Sequence, residues 1–192
     1  MTSKPGERKL QILQTVAQML EQPKSEKITT AALAERLDIS EAALYRHFAS
    51  KAQMFEGLIE FIEQTVFGLI NKITQEEKSG VKQVEGIVSL LLGFAQKNRG
   101  MTRVLTGDAL VNENERLQQR INQLLDRIEA TLKQSLRMAA TQGEMGTAVD
   151  VGAHANVLVC YVIGRWAEFA KSGFTREPMA QWAAQSAILL HR

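Results

Sequence analysis

Residues 28–48, ITTAALAERLDISEAALYRHF, decide the fold. They read as two short helices around a tight turn. Thr29 and Thr30 open the first helix as N-cap residues, whose hydroxyls accept bonds from the free N–H groups of a first turn. Ala32, Leu33, Ala34 and Leu37 supply its small apolar face. Asp38 stands where the chain must leave that helix, a position that often needs the left-handed conformation; Asp adopts it at modest cost. Ile39 plugs the turn, and Ser40 caps a second helix through Glu41, Ala42, Ala43, Leu44, Tyr45, Arg46 and His47. This spacing lets Leu33, Leu37, Ile39 and Leu44 pack inward together, and it leaves Ala42, Ala43, Tyr45, Arg46 and His47 outward. Small residues near a helix N-terminus let it sink into a major groove, where the Tyr, Arg and His at its far end reach phosphates or base edges. A surface helical corner with solvated polar groups is the plainer alternative.

Composition bounds the rest. A chain of 192 residues, 45% apolar with three prolines, can bury a proper core and reads as mostly helical. No uncharged apolar run approaches the ~18–20 residues of a membrane span. The start of the chain lacks an apolar stretch of signal-peptide length. The lone cysteine, Cys160, excludes an internal disulfide and fits a reducing cytoplasm. Net charge is only +2, and residues 1–53 carry eight Lys or Arg against six acids. The case for DNA therefore rests on where the cations sit, not on bulk charge.

Outward from the motif, residues 1–6 read as disordered. A first helix over 7–21 places Leu10, Leu13, Val16, Ala17 and Leu20 on one face. Arg8 and Lys9 at its start are phosphate contacts or solvated charge, and Pro23 and Ser25 mark a loop. Beyond the motif, Ser50 caps a long helix over 51–77, with Lys51 as a phosphate contact at its N-terminus. Its stripe of Met54, Phe55, Leu58, Ile59, Ile62, Val66, Leu69, Ile70 and Ile73 ties the head to the body. The helix over 81–98 is either central core or the wall of a partner groove. In the second reading Leu90 and Gly93 line the groove and Lys97, Arg99 and Arg103 supply charge at one end. A short helix over 101–106 follows.

The longest helix is expected over 108–138, with Leu117, Ile121, Leu124, Ile128, Leu132 and Leu136 at near-heptad spacing. Two glycines make 140–147 a flexible loop. The last two helices span 150–172 and 177–190, with Pro178 in the first turn of the second. Val157, Leu158, Val159, Tyr161, Val162, Ile163 and Trp166 are apolar nearly all round, so this pair reads as half of a four-helix homodimer interface. His47, His154 and His191 are scattered, so no metal and no cofactor is expected. Cys160 reads as a small core residue. Tyr161, Arg165, Trp166 and Glu168 read as packing and surface residues, or as the lining of a ligand pocket. No catalytic constellation is present, and the chain does not read as an enzyme.

The stretch TTAALAERLDISEAALYRHFASKAQMF (29–55) resembles the DNA-binding motif of the TetR family of bacterial regulators. LIEFIE (58–63), LLLGFAQKN (90–98), TRVLTGDAL (102–110) and ERLQQRINQLLDRIEATL (115–132) extend the resemblance to the TetR-type nucleoid occlusion factors of cell division. The resemblance implies an all-α, TetR-like fold. A three-helix helix-turn-helix domain would occupy 6–66, with its motif at 29–48, and a dimerising helical bundle 67–192. It implies a cytoplasmic, nucleoid-associated homodimer on palindromic double-stranded DNA, with one or more dimers per site. Thr29, Thr30, Ser40, Ala42, Ala43, Tyr45, Arg46, His47 and Lys51 would face the DNA. It further implies that the DNA-bound form antagonises the tubulin-like division GTPase FtsZ, gripping its tail near Phe61, Leu90, Gly93, Lys97 and Asn98. The alternative within the same fold is a ligand-responsive transcriptional repressor.

Overall fold

The computed structural model describes residues 5–22, 28–111, 113–146 and 150–190. Residues 1–4, 23–27, where a loop is expected at Pro23 and Ser25, 112, 147–149 and 191–192 lie outside the described residues. Among the described residues the architecture is all-α. The head comprises α1 (Pro5–Leu20), α2 (Thr30–Arg36) and α3 (Glu41–Tyr45). The long α4 (Lys51–Glu76) leads into α5 (Gly80–Lys97), α6 (Arg99–Leu105), a 3-10 turn (Asp108–Leu110), α7 (Glu115–Thr141), α8 (Val151–Lys171) and α9 (Trp182–Leu189). The expected boundary at 66/67 falls inside α4.

Capping follows the side chains that favour it. Thr29 Oγ1 accepts from Ala32 N–H at 3.1 Å, Ser40 Oγ from Ala43 N–H at 3.1 Å and Ser50 Oγ from Gln53 N–H at 3.2 Å. Asp38 adopts the left-handed conformation at φ 52°, as the turn requires. One apolar core runs from Ile12 in α1 to Leu190 at the end of α9. Its centre is α5, packed between α4, α7 and α8. The six near-heptad residues of α7 are all buried. Trp166 crosses this centre and donates its indole N–H to the Leu91 carbonyl at 3.0 Å.

Several expectations need correction. Leu10 is 44% exposed, and Ile12 is fully buried in its place. The buried face of α1 is Ile12, Thr15, Val16, Ala17 and Leu20, and Leu10 lies off it. α1 also starts at Pro5, so Pro5 and Gly6 are helical. α7 starts at Glu115 because Gly107, at φ 80°, turns the chain and a 3-10 turn intervenes. α7 then runs on to Thr141, into the stretch expected to be a loop. α9 begins only at Trp182, so Pro178 sits in the preceding turns and not in the helix. Cys160 is exposed, not core.

Two close joints position the working surfaces. α6 crosses α1 where Gly100 meets Ala17; a Cβ on Gly100 would lie 1.9 Å from the Ala17 carbonyl oxygen. Gly100→Ala must push α6 off the head and is expected to cost about 2–3 kcal/mol, as overpacking does. Thermal denaturation reads this directly, and an unchanged melting temperature would show that α6 is not seated there. The second joint anchors the start of α5. Gly80 N–H donates to Gln142 Oε1 and Val81 N–H to Glu144 Oε2, each at 2.9 Å, beside the Ser79 cap.

The Val81 N–H bond, with help from Ser79, holds the Glu144 carboxyl below its ordinary range. The folded pKa is thus lower than the unfolded one. The contribution to stability is present above the unfolded value and lost as pH falls through the folded value. Thermal melts of wild type and Glu144→Gln are therefore expected to differ near neutrality and to converge in acid. A difference independent of pH would contradict the role of the charge.

Candidate nucleic-acid interface and partner groove

The head presents α3 outward. Leu44 is fully buried and fixes the helix to the core, while Glu41, Ala42, Tyr45 and Arg46 are exposed and Ala43 and His47 are half-buried. α3 closes at Tyr45, two residues earlier than the sequence pattern implies, so Arg46 and His47 lie in the turn that follows. Thr29 and Ser40 spend their side-chain oxygens on helix caps. Thr30 is not a cap. It is the first residue of α2, and its hydroxyl donates to Glu41 Oε2 at 2.6 Å while receiving the Tyr45 O–H at 3.4 Å.

This chain of three side chains joins the N-terminus of α2 to both ends of α3 and holds the Tyr45 ring at the surface. Glu41 was missed by the sequence pattern, where it reads as a first-turn acid favouring the helix N-terminus. Its role as acceptor for Thr30 depends on a contact eleven residues away.

The cations lie differently from expectation. Arg8 donates to Gln11 Oε1 at 2.6 Å, and Lys9 sits over the Phe48 ring at 5.7 Å. Lys51 opens α4 as expected, but its ammonium is ion-paired with Glu113, in the segment leading into α7. A little further along α4, Arg120 of α7 grips Glu63 with two N–H groups, at 3.0 and 2.6 Å. The Glu63 carboxylate raises the Arg120 pKa further, so this fork stays charged.

On the body, Leu90, Gly93, Lys97 and Asn98 come together along one side of a groove of about 470 Å³. Leu69 of α4 and Gly86, Ser89, Phe94, Gln96 and Met179 complete it. Leu91 and Leu92 point into the core, as the run of apolar side chains requires. Asn98 is fixed by donation to the Phe94 carbonyl at 2.8 Å, and Lys97 is exposed at the groove end. Phe61 is exposed on α4 but is not among the groove-lining residues, so the expected five-residue cluster is a cluster of four. Arg99 and Arg103 turn toward the Phe174 ring, at 6.0 and 5.1 Å.

The outer face of α8 and α9 is apolar and uncovered. Val157 is 51% and Ile188 73% exposed, and Cys160, Gly164, Ala183, Ala184 and Ala187 are exposed between them. Tyr161 donates to Gln185 at 2.6 Å, and Arg165 donates to Glu168 and to the carbonyls of Glu177 and Pro178. With Trp166 buried, these residues are engaged in packing the last two helices. Among the described residues no three His, Cys, Asp or Glu side chains converge as metal ligands, and no helix is long and apolar enough to cross a membrane.

An exposed α3 held by a capped α2, with a helical body behind it, defines a helix-turn-helix DNA-binding protein. Residues 12–58 match the family described as bacterial regulatory proteins of the tetR family, and residues 78–192 match the SlmA-like type of tetracyclin repressor-like C-terminal domain. The chain belongs to the TetR family, with a C-terminal domain of the SlmA-like type. It is 50% identical to the nucleoid occlusion factor SlmA of a Marinomonas species, over 98% of this chain and 96% of that one. It is 51% identical to SlmA of Alteromonas mediterranea, over 94% and 95% respectively. Solved structures share the fold at much lower identity. A TetR regulator from Haloarcula marismortui superposes with a TM-score of 0.80 at 15% identity, covering 97% of each chain. The regulator FadR of Bacillus subtilis, solved in complex with stearoyl-CoA, gives 0.76 at 14% identity, covering 94% of this chain and 97% of FadR.

Proposed function

We propose that this TetR-family protein is a nucleoid occlusion factor, which binds palindromic DNA as a homodimer and, when DNA-bound, antagonises FtsZ polymerisation over the chromosome. The observation that carries the reading is identity of about half the residues, over almost the whole chain, to proteins named for that activity. The DNA contacts are assigned to Thr30, Ala42, Ala43, Tyr45, Arg46, His47 and Lys51, with Thr29 and Ser40 presenting the free N–H groups of α2 and α3. The FtsZ tail is assigned to the groove of Leu90, Gly93, Lys97 and Asn98, with Phe61 extending the surface along α4. An apolar floor with a cation at one end suits an extended peptide carrying both apolar and acidic groups.

The uncovered faces of α8 and α9 supply the dimer contact. Burying Val157 and Ile188 against a second copy removes from water the largest exposed side chains of that face. A two-fold dimer then sets two α3 helices for successive turns of major groove. The protein works in the cytoplasm, on the nucleoid. The ligand-responsive repressor draws no comparable support, since Trp166, Tyr161 and Arg165 hydrogen-bond within the bundle.

Mapping the DNA fragments bound in the cell tests the choice. An occlusion factor is expected at many sites spread over the chromosome. Occupancy confined to a few promoters, released by a small molecule, would favour the repressor.

A further inference from the structure

The ion pair between Lys51 and Glu113 joins the first residue of α4 to a segment 62 residues further on, between the 3-10 turn and α7. Both side chains are largely shielded, at 25% and 17% exposure. The ammonium also lies 5.6 Å from the centre of the Phe55 ring. The free N–H groups at the start of α4 and the Lys51 charge together make a place for a phosphate, yet a carboxylate of the body already occupies that cation. A second anion brought to Lys51 is repelled by Glu113 unless Glu113 leaves.

We propose that Glu113 is an internal competitor for the phosphate. In the free protein it holds Lys51, and DNA displaces it, loosening the tie between the head and the start of α7. The inference rests on the reading of Lys51 as a DNA contact. It adds that the same cation reports DNA engagement to the body, through an exchange of one anion for another. Because the exchange is reciprocal, whatever holds Glu113 on Lys51 weakens DNA binding, and whatever draws it away strengthens binding.

The exchange has a signature in salt dependence. A cation that neutralises one phosphate contributes about 0.9 to the slope of log affinity against log salt, through counterion release. In the wild type this gain is offset, since the displaced Glu113 takes up a cation of its own. Glu113→Gln keeps an oxygen that accepts from the ammonium but removes the charge, and Glu113→Ser removes the contact altogether.

The test measures binding of the full-length protein to two short duplexes. One comes from a chromosomal fragment recovered with the wild type, and the other is a scrambled sequence of the same composition. Both Glu113 variants are expected to bind each duplex about 3- to 10-fold more tightly near 0.1 M salt, with a slope steeper by about one. Lys51→Gln is expected to remove that difference when combined with Glu113→Gln. Amide exchange over 113–118 is expected to rise in the wild type when DNA is added, and to be fast already in free Glu113→Ser.

Unchanged or weaker binding by both Glu113 variants, with no change of slope, would overturn the proposal and leave Glu113 a positioning residue for Lys51. A double variant that keeps the steeper slope of Glu113→Gln alone would remove the underlying DNA contact instead. DNA-independent exchange over 113–118 would overturn the link to the body.

Discussion

A variant carrying Val157→Asp and Gly164→Arg is expected to be a folded monomer that binds its DNA site about a thousandfold more weakly. Gly164 is exposed, and a Cβ there meets nothing within 4 Å, so the new side chain is accommodated by a single chain. Val157 is half exposed two turns earlier on the same helix. Neither change touches the core built around Leu158, Val162 and Trp166. In the proposed two-fold dimer through α8 and α9, however, both positions would be met by the partner copy, and an Asp and an Arg would have to lose water against an apolar surface. A single α3 then reads only half a palindrome. The gap between specific and non-specific DNA binding is typically about a thousandfold or more, and most of it vanishes with the second half-site. Sedimentation velocity and duplex binding measure the two consequences separately. A variant that remains dimeric would move the interface away from α8 and α9.

The other large effect is expected at the groove. Leu90→Glu puts a charge on an apolar floor beside Gly93 and is expected to abolish the action on FtsZ while DNA binding is retained. Leu90 is half-buried and packs partly against the core, so some loss of stability accompanies the change, on the order of 1–2 kcal/mol. Gly93→Glu separates the two effects. Nothing lies within 4 Å of a Cβ at Gly93, and a non-glycine residue in a helix interior favours the helix. The glutamate therefore fills the groove without disturbing the fold. Loss of the FtsZ effect in both variants, with normal DNA binding, places the partner in this groove. Full activity in Gly93→Glu would place it elsewhere, with Phe61 on α4 as the next surface to probe.

The helix-turn-helix was legible in the sequence because its signals are local. Thr29, Ser40 and Ser50 announce three helix starts, Asp38 announces the turn, and all four act as their chemistry predicts. The apolar period of α7 was legible for the same reason, since Leu117 to Leu136 repeat within one helix. Boundaries were less so. Residues 108–114 contain no strong helix breaker; the positive φ of Gly107, the 3-10 turn after it and the Asn114 cap, whose side chain accepts from Arg116 N–H, set the start of α7. Which of two apolar residues in α1 enters the core, Leu10 or Ile12, depends on how the helix is rotated against its neighbours.

The groove was half visible. Leu90, Gly93, Lys97 and Asn98 share one helix and its end, so periodicity brings them to one side. Phe61 is on another helix, and its distance from them is a matter of packing. The engagement of Lys51 by Glu113, and of Thr30 by Glu41, had no local signal at all. Such pairs are set by the tertiary fold, and a cation read from sequence as free can be held by an acid far along the chain.

A nucleoid occlusion factor must couple DNA binding to its action on FtsZ. Sedimentation of FtsZ polymers from the same bacterium, with this protein alone and with its DNA site added, measures that link in one experiment. The predicted result is little change with protein alone and a clear fall in pelleted FtsZ once the duplex is present. Equal pelleting with and without the duplex would contradict it.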